Sequence, residues 1–304
     1  MQPTYNKSTT IVVRAYLACL CLYLAGLADV LASVDICGDP DTYSRLSINL
    51  VRYSDSTFDN DAGAVGQKNN NFDLMFITDD DMILFGAGHR YTIFDVAGLQ
   101  PETNGHLHTF FLPLHKLTGD DRRSFRLSIA PVLSASSNVF NKLDEYSSDA
   151  LQVLAALVWG RRLSDRVSLR FGLCGDHRFG DYQVYPLISV HWQPRPDWTV
   201  QLGFPTSQLS YQLSARATST IRISPDGNEW FVLDKSRANH SRFIYEAYAL
   251  EWAFAWEVRK SFAITASVGR QFHNRFEMTL LDKIRVRISS QPVTRVGAAL
   301  EWRF

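Results

Sequence analysis

Histidines are the residues of this chain whose type and spacing most readily suggest chemistry. His106, His108 and His115 occur in one run. His106 and His108 would share a face of a strand, because side chains two residues apart in a strand point the same way. Imidazole nitrogens are common zinc ligands. A histidine pair without a neighbouring carboxylate or cysteine is more typical of a polar surface, so the sequence predicts neither a metal site nor a cofactor.

Other histidines are candidates for hydrolytic chemistry. His89, His191 or His273 could act as a general base for one of the many serines. The sequence contains no Gly-x-Ser-x-Gly nucleophile elbow and no glycine-rich phosphate cradle. We therefore predict that the protein is not an enzyme, and an enzyme that acts on lipid or peptide is the alternative.

Charged residues form a second set with a chemical meaning. They recur on the small, polar side of short alternating runs, where a strand would place them all on one face. If that face lines a lumen, the charges either select solutes by sign or pair across a narrow, closed space. The predicted lumen charges are Arg126, Arg170, Arg222, Glu251, Glu257, Arg295, Glu301 and Arg303.

Composition limits the class of protein that carries these residues. The chain has 304 residues, 46% of them hydrophobic, and a formal net charge of zero, whereas a nucleic-acid-binding protein is usually basic. The mean hydropathy of -0.12 is too low for a bundle of membrane helices. We predict no nucleic-acid partner and no helical membrane domain.

The first residues have the layout of a secretory signal peptide. Lys7 and Arg14 precede an uncharged run from Ala15 to Leu27, which is shorter than the roughly 20 apolar residues of a spanning helix. Val30-Leu31-Ala32 is a small-residue cleavage pattern. We predict a cleaved signal peptide at residues 1–32, and a retained N-terminal anchor is the alternative.

Two cysteines remain after the predicted cleavage. Cys37 lies near the new N-terminus and Cys174 falls in a predicted loop. An oxidising periplasm would allow them to form a disulfide. The sequence leaves their pairing open.

The stretch from Val293 to Phe304 alternates to the last residue of the chain. Its larger side chains, including Leu300, Trp302 and Phe304, share one face, and charged or small residues share the other. At least six other runs repeat this division. A soluble β-sandwich would instead have an outer face rich in Lys and Glu. The pattern therefore favours a barrel whose large apolar face meets lipid.

Short and long connections alternate between the predicted strands. The segments 163–165, 194–197 and 258–260 are short, whereas 134–147 and 224–239 are longer. Bacterial outer-membrane barrels have short periplasmic turns and longer outer loops. Placing the short turns in the periplasm gives about fourteen strands, an even number with both ends of the wall on one side.

Three segments decide the strand count. The stretch from Asp55 to Asn71 is predicted to be a loop because it is rich in Asp, Gly and Asn. Glu229 to Leu233 and Lys283 to Ile288 alternate, so the count rises to about sixteen if both join the wall. It falls to about twelve if weak N-terminal runs lie outside the wall.

Tryptophans support a membrane setting by their positions. Five of them lie beside predicted short turns, where barrels place an interfacial girdle of aromatic residues. Packing in a soluble core is the alternative explanation. These residues are Trp159, Trp192, Trp198, Trp256 and Trp302.

Two stretches resemble known barrels. The end of the chain resembles the C-terminal strand of bacterial outer-membrane β-barrels, which implies that Trp302 and Phe304 form a signal for the barrel-assembly machinery. The middle contains Tyr185-Pro186, Trp192-Gln193-Pro194 and Phe204-Pro205. It is similar to an uncharacterised family of bacterial outer-membrane β-barrels that share a Tyr-Pro hairpin and a Phe-Pro or Leu-Pro turn. That resemblance implies a location and a fold, and it supplies no catalytic residues.

The sequence thus predicts an all-β chain. We expect an N-terminal periplasmic segment at 33–43, followed at 44–304 by a single antiparallel transmembrane β-barrel of about fourteen strands, with a range of about 12–16. The predicted location is the bacterial outer membrane. The predicted function is a passive pore for small solutes or a structural envelope protein, with outer-membrane lipid and the assembly machinery as partners. A secreted soluble β-sandwich that binds glycan or protein is a further alternative.

Overall fold

A computed structural model provides the fold of the chain. It describes residues 36–38, 44–59, 63–77, 83–97, 105–120, 122–142, 148, 150–233, 240–279 and 285–304. The predicted signal peptide at 1–32 lies outside the described residues. The described part is built mainly of strands, with a 3-10 helix at Val139–Lys142 and α-helical residues at Ser148 and Ala150.

None of the described helical segments has the length and apolar character needed to cross a membrane.

The described residues form eighteen strands, β1 to β18 in chain order. They are β1 (Arg45–Tyr53), β2 (Ser56–Thr57), β3 (Ala64–Ile77), β4 (Ile83–Ala97), β5 (His106–Phe111), β6 (Leu114–Gly119), β7 (Arg123–Ser136), β8 (Leu151–Ser164), β9 (Val167–Asp176), β10 (Gln183–Arg195), β11 (Trp198–Phe204), β12 (Ser207–Ser214), β13 (Ala217–Pro225), β14 (Asn228–Leu233), β15 (His240–Arg259), β16 (Phe262–Thr279), β17 (Arg285–Ser290) and β18 (Val293–Arg303).

The strands close into an antiparallel barrel. From β7 to β13 each strand pairs with the next, then β13 pairs with β15, β16 with β18, and β18 with β1. β5 and β6 share one position because both lie between β4 and β7, separated near Pro113, which has no N–H to donate. β2, β14 and β17 are not members of this closed wall. The predicted count of fourteen wall strands is confirmed.

The two ends of the barrel differ. The connections 165–166, 196–197, 215–216 and 260–261 lie at one end, which also holds the start of β1 and the end of β18. We call it the short-turn end, and the opposite end the long-loop end. Connections at the long-loop end include 177–182, but β11 and β12 are joined there by Pro205 and Thr206 alone.

Alternation along each strand separates an apolar exterior from a polar interior. Val184, Leu202 and Trp302 are 65%, 61% and 54% exposed, and many other large apolar side chains of the wall are exposed. Buried positions of the wall include Ser128, Ser189 and other polar residues. A continuous apolar exterior of this extent is unusual for a soluble monomer.

The predicted loop from Asp55 to Asn71 is wrong for its second half. β3 begins at Ala64 and pairs with β4 along its whole length. The polar residues Asn69 and Asn71 are buried on the inner face, and Asn69 donates a hydrogen bond to the Tyr53 hydroxyl at 3.0 Å. Their polarity suits an interior lined with hydrogen-bonding groups, so composition alone mistook this strand for a loop.

β14 continues the direction of β13 along the same edge of β15. The two strands are separated by a break at Asp226 and Gly227, where Asp226 N donates to the Ala247 carbonyl at 2.8 Å. All six residues of β14 are buried, and Phe231 pairs with Ala135 of β7. Because β8 to β12 separate β7 from β13, β7 lies on the opposite side of the wall. β14 therefore crosses the interior, and we call it the lid.

Aromatic side chains pack beneath the long-loop end. Phe94 has ring centroids of Trp230, Phe243, Tyr245 and Phe276 within 5.3–6.1 Å of its own. Edge-to-face packing of this kind fills a protein interior closely. The predicted sixteen-strand variant is not observed, because β14 and β17 cover this aromatic core instead of joining the wall.

Candidate functional site

The interior of the barrel is the candidate site. All eight predicted lumen charges occupy inner-face positions, because their neighbours in the sequence include exposed residues of the outer face such as Leu127, Ile221 and Trp302. The structure brings some of them together and leaves others apart.

Arg222, Glu251 and Arg295 form one connected group. Arg222 Nη2 lies 2.9 Å from Glu251 Oε1, and Arg295 Nη2 lies 2.9 Å from Glu251 Oε2. Arg222 of β13 is opposite Glu251 of β15. Glu251 is opposite Gly269 of β16, which is opposite Arg295 of β18. The absence of a side chain at Gly269 lets the carboxylate reach the second guanidinium.

Asp226 joins this group to the lid. Its Oδ2 lies 3.5 Å from Arg295 Nη1 and accepts a hydrogen bond from Gln271 Nε2 at 2.9 Å. Gln271 Oε1 in turn accepts from the Tyr245 hydroxyl at 2.7 Å. Arg295 therefore lies beneath the break before the lid. Its position eight residues before Arg303 places it toward the long-loop end.

Hydrogen bonds attach the lid to the opposite wall. Asn228 Nδ2 and Trp230 Nε1 both donate to Thr109 Oγ1, at 2.9 and 3.0 Å. Ser134 Oγ donates to the Glu229 carbonyl at 2.6 Å. These groups are buried, so their hydrogen bonds satisfy polar atoms that would otherwise be costly to bury.

Glu229 links the lid to its surroundings by charge. His177 Nδ1 lies 3.2 Å from one carboxylate oxygen, and Arg242 Nη1 lies 3.2 Å from the other. Burial raises the pKa of the Glu229 carboxyl, but the neighbouring His177 ring, the Arg242 charge and the Tyr182 backbone outweigh burial, so the pKa lies below its usual value. The carboxylate stays ionised at neutral pH.

Residues 36–38, which we call the strap, lie inside the barrel. Ile36 and Cys37 are 1% and 3% exposed, and Cys37 forms a disulfide with Cys174 of β9, with the two Cα atoms 5.8 Å apart. Arg126 Nη2 donates to the Cys37 carbonyl at 3.0 Å, and Arg126 also contacts the Gly38 carbonyl. The predicted loop position of Cys174 is wrong, and this part of the predicted 33–43 segment lies against the inner wall.

A polar cluster surrounds the disulfide. Asp176 Oδ2 accepts from Arg178 Nε and from the Tyr185 hydroxyl, each at 2.8 Å. Among the described residues, the one group of possible metal ligands within 4.8 Å of one another is Cys37, Cys174 and Asp176. Because the two sulfurs are bonded to each other, this group lacks the thiolates that a metal would need.

At the short-turn end, charged pairs line one side of the interior. Arg303 Nε lies 2.6 Å from Glu301 Oε1, and Arg303 also pairs with Glu257. Arg45 lies 3.2 Å from Asp73 and 3.7 Å from Glu301. The predicted lumen charges on this side are therefore neutralised by partners.

A vestibule opens on the other side of the short-turn end. It is a cavity of about 330 Å³ between β7 and β11. Arg170, one of the predicted lumen charges, lies on its wall, and its Nη1 is 3.0 Å from His191 Nε2. Six arginines line the vestibule: Arg122, Arg123, Arg161, Arg162, Arg166 and Arg170. Sequence reasoning missed five of them because they fall in or beside turns, outside the clearest alternation.

Three of the candidate histidines, His89, His106 and His108, lie together on the outer face of β4 and β5, and the others lie apart from them. His108 lies on the outer face, where it contacts His89 at 3.0 Å and Ser137 at 2.9 Å, whereas His106 contacts Tyr91. The other two candidates meet charged partners: His191 meets Arg170 on the inner face, and His273 lies 3.7 Å from Glu246. His115 contacts Ser128 at 2.8 Å.

Trp302 and Phe304, the predicted insertion signal, point outward. They are 54% and 62% exposed, and the Phe304 ring lies 5.9 Å from that of Phe76. Phe304 N donates to the Ser44 carbonyl at 3.1 Å, so the backbone of the last residue joins the closing seam.

Comparison with known proteins places the chain in one family. The model of a family described as a domain of unknown function (DUF6268) matches residues 123–284. No curated protein matches the chain. Among solved structures the chain is similar to a KdgM porin, with 8% identity over 85% of this chain and 99% of that chain and a TM-score of 0.37.

Two further solved structures are similar. The toluene transporter TodX of Pseudomonas putida shares 11% identity over 91% of this chain and 95% of that chain, with a TM-score of 0.36. The NanC porin shares 6% identity over 83% and 98%, also with a TM-score of 0.36. The fold of this chain follows from its own strand pairing.

Proposed function

This chain belongs to the family described as a domain of unknown function (DUF6268), and we propose that it is a bacterial outer-membrane β-barrel that passes small solutes through a gated lumen. The observation that carries the proposal is the closed fourteen-strand wall with an apolar exterior and a polar interior. The lid and the strap occupy that interior in the conformation described, so passage requires at least one of them to move.

The exterior supports the membrane location. Large apolar side chains exposed to water would cost about 25 cal/mol for each Å² of apolar surface, and lipid removes that cost. Trp192, Trp256 and Trp302 lie near short turns and are 47%, 51% and 54% exposed, as expected for a girdle at one membrane interface. With the short turns in the periplasm, the lid lies toward the cell exterior.

Fractionation tests the location. We expect the mature protein in the outer-membrane fraction, released only by detergent, with the heat-dependent gel mobility of a folded barrel. A mature protein found in the soluble periplasm or in the medium without detergent would overturn the barrel proposal and favour a secreted binding protein.

Planar-bilayer conductance tests the gated passage. We expect small or rare current steps from the native protein and larger, more frequent steps when the lid anchor at Asp226 is removed. A wall of this size can enclose an aqueous space once its interior is cleared.

A structural envelope protein is the second candidate function. The aromatic core around Phe94 favours it, because this packing resembles a permanent protein interior more than a movable gate. If neither the native protein nor lid variants produce current steps while the protein still inserts into bilayers, the structural function is correct and the passage is not.

A further inference from the structure

We propose that the vestibule at the short-turn end binds a small solute that carries two or more carboxylate or phosphate groups. This inference rests on the proposed function, because it names the solute class of the same lumen. The cavity measures about 330 Å³, which is within the usual size of small-molecule sites.

The charge of the vestibule is the first argument. Six arginines and two aspartates, Asp120 and Asp165, line it. Without Arg123 and Arg161, which lie on the outer face, an excess of two positive charges remains. Asp165 lies 3.2 Å from Arg162, but its side chain is 98% exposed, so this pair is weak in water. Asp120 Oδ1 accepts hydrogen bonds from the backbone N–H groups of Arg122 and Arg123, at 2.7 and 2.8 Å, and so caps its own turn.

The excess charge is confined to this side of the barrel. On the opposite side of the same end, Arg45 and Arg303 face three carboxylates, those of Asp73, Glu257 and Glu301. An anion that enters from the short-turn end is therefore attracted toward β7 to β10 and not toward β18. Guanidinium groups suit this role because each presents a planar pair of donors to a carboxylate or phosphate.

The strand register identifies the arginines that face the lumen. Arg162 is opposite Ser168, which is opposite His191, and Arg170 is opposite Gly160 and Ser189. Arg123 and Arg161 are opposite each other and fall two residues beyond the exposed Trp159, on the outer face. Arg162 and Arg170 are therefore the ligand-binding pair. Gly160, with no side chain, leaves room for the Ser124 side chain.

Two sources could supply such anions: a free solute inside the barrel, or the phosphate of a lipid headgroup at its outer face. The two sources use different arginines. A free solute would meet Arg162 and Arg170, whereas a lipid phosphate would meet Arg123 and Arg161.

Titration of the full-length, detergent-solubilised protein with citrate tests the inference without requiring an open channel. We expect measurable heat of binding that decreases as ionic strength rises. In the double variant Arg162→Gln/Arg170→Gln, we expect citrate affinity to fall about tenfold or more, because two charge-assisted contacts are lost. Arg216→Gln, in the 215–216 turn at the same end, is the matched control and should bind citrate as the native protein does.

Two outcomes overturn the inference. Either citrate does not bind the native protein, or affinity falls equally in Arg162→Gln/Arg170→Gln and in Arg123→Gln/Arg161→Gln. A third outcome also overturns the inference. If affinity falls only in Arg123→Gln/Arg161→Gln, and binding occurs only with vesicles that contain anionic lipid, the site binds lipid headgroups. Because binding is measured apart from conductance, failure of the pore proposal and failure of the anion site give different results.

Discussion

Asp226 holds the start of the lid to β16 and β18, whereas Asn228 and Trp230 attach the lid to the opposite wall. Its carboxylate accepts from Gln271 and pairs with Arg295, which is itself held by Glu251. Asp226 lies between β13 and β14, where regular strand pairing with β15 is interrupted. Its side chain therefore connects the lid to the wall at this break.

Replacing Asp226 with asparagine should loosen the lid. The variant loses a charged partner of Arg295 and one charge-assisted hydrogen bond, a destabilisation of about 1.5–3 kcal/mol. We expect more frequent current steps in planar bilayers and faster proteolysis at the long-loop end. Asp59→Asn is the matched control, because Asp59 makes an exposed hydrogen bond with Gln291 at the same end. Equal behaviour of the two variants would refute a role for Asp226 in closure.

Glu229 should make closure sensitive to acid. The pKa of the Glu229 carboxyl is lower in the folded protein than its unfolded value of about 4.3. Its ionised form therefore stabilises the fold fully above about pH 4.3, and this stabilisation is lost as the pH falls through the folded pKa. The facing groups are His177, Arg242 and the Tyr182 backbone. We expect the frequency of current steps to rise as the pH is lowered below about 4.3.

The variant Glu229→Gln provides the control for this pH response. It removes the carboxyl that titrates but keeps the shape of the side chain, so its gating should change little across the same pH range. A full acid response in Glu229→Gln would assign the titration to another group.

Among the elements, the strap is held by a covalent bond and by Arg126. Ile36 packs in a buried cluster with Leu154, Val158 and Leu187, and the disulfide joins it to β9. Sequence reasoning left the cysteine pairing open, because a separation of 137 residues along the chain gives no information about distance. Only the closed wall brings Cys174 to the same place as Cys37.

Removing the disulfide should free the strap. We expect Cys37→Ser/Cys174→Ser to lower the stability by about 2–4 kcal/mol, with a lower Tm for the heat-dependent gel shift. Reductant should lower the Tm of the native protein by the same amount and leave the Tm of the double variant unchanged. An unchanged Tm in both experiments would show that packing of Ile36 and the Arg126 contacts alone hold the strap.

At the scale of the whole molecule, β18 closes the barrel against β1. The closure extends from the pair Arg303 and Arg45 to the pair Arg295 and Tyr53. Phe304 extends the seam by one backbone hydrogen bond, and its ring remains exposed on the outer face. The role of this ring in assembly stays a prediction.

Deletion of Phe304 should impair assembly more than Arg303→Gln does. The deletion removes the outward terminal aromatic, whereas Arg303→Gln removes inner-face pairs with Glu257 and Glu301. We expect a severalfold lower yield of folded, heat-modifiable protein in the outer membrane for the deletion. Phe304→Tyr, which keeps an aromatic ring, should retain native assembly. Equal yields for the deletion and Arg303→Gln would argue against an insertion signal.

The sequence by itself determined the wall. Side chains of a strand alternate between two faces, so the division into large apolar and small polar residues was visible in runs such as Val293 to Phe304 and could be counted into fourteen strands. It also placed charges such as Arg222 and Glu251 on a common face.

Only the tertiary structure decided what fills the wall. β14 alternates like a wall strand, but the break at Asp226 turns it across the interior, because its apolar residues pack against the opposite side. The vestibule arginines come from different turns that meet only when the barrel closes. Contacts between distant segments have no local pattern, so periodicity could predict the barrel but not its lid, its strap or its vestibule.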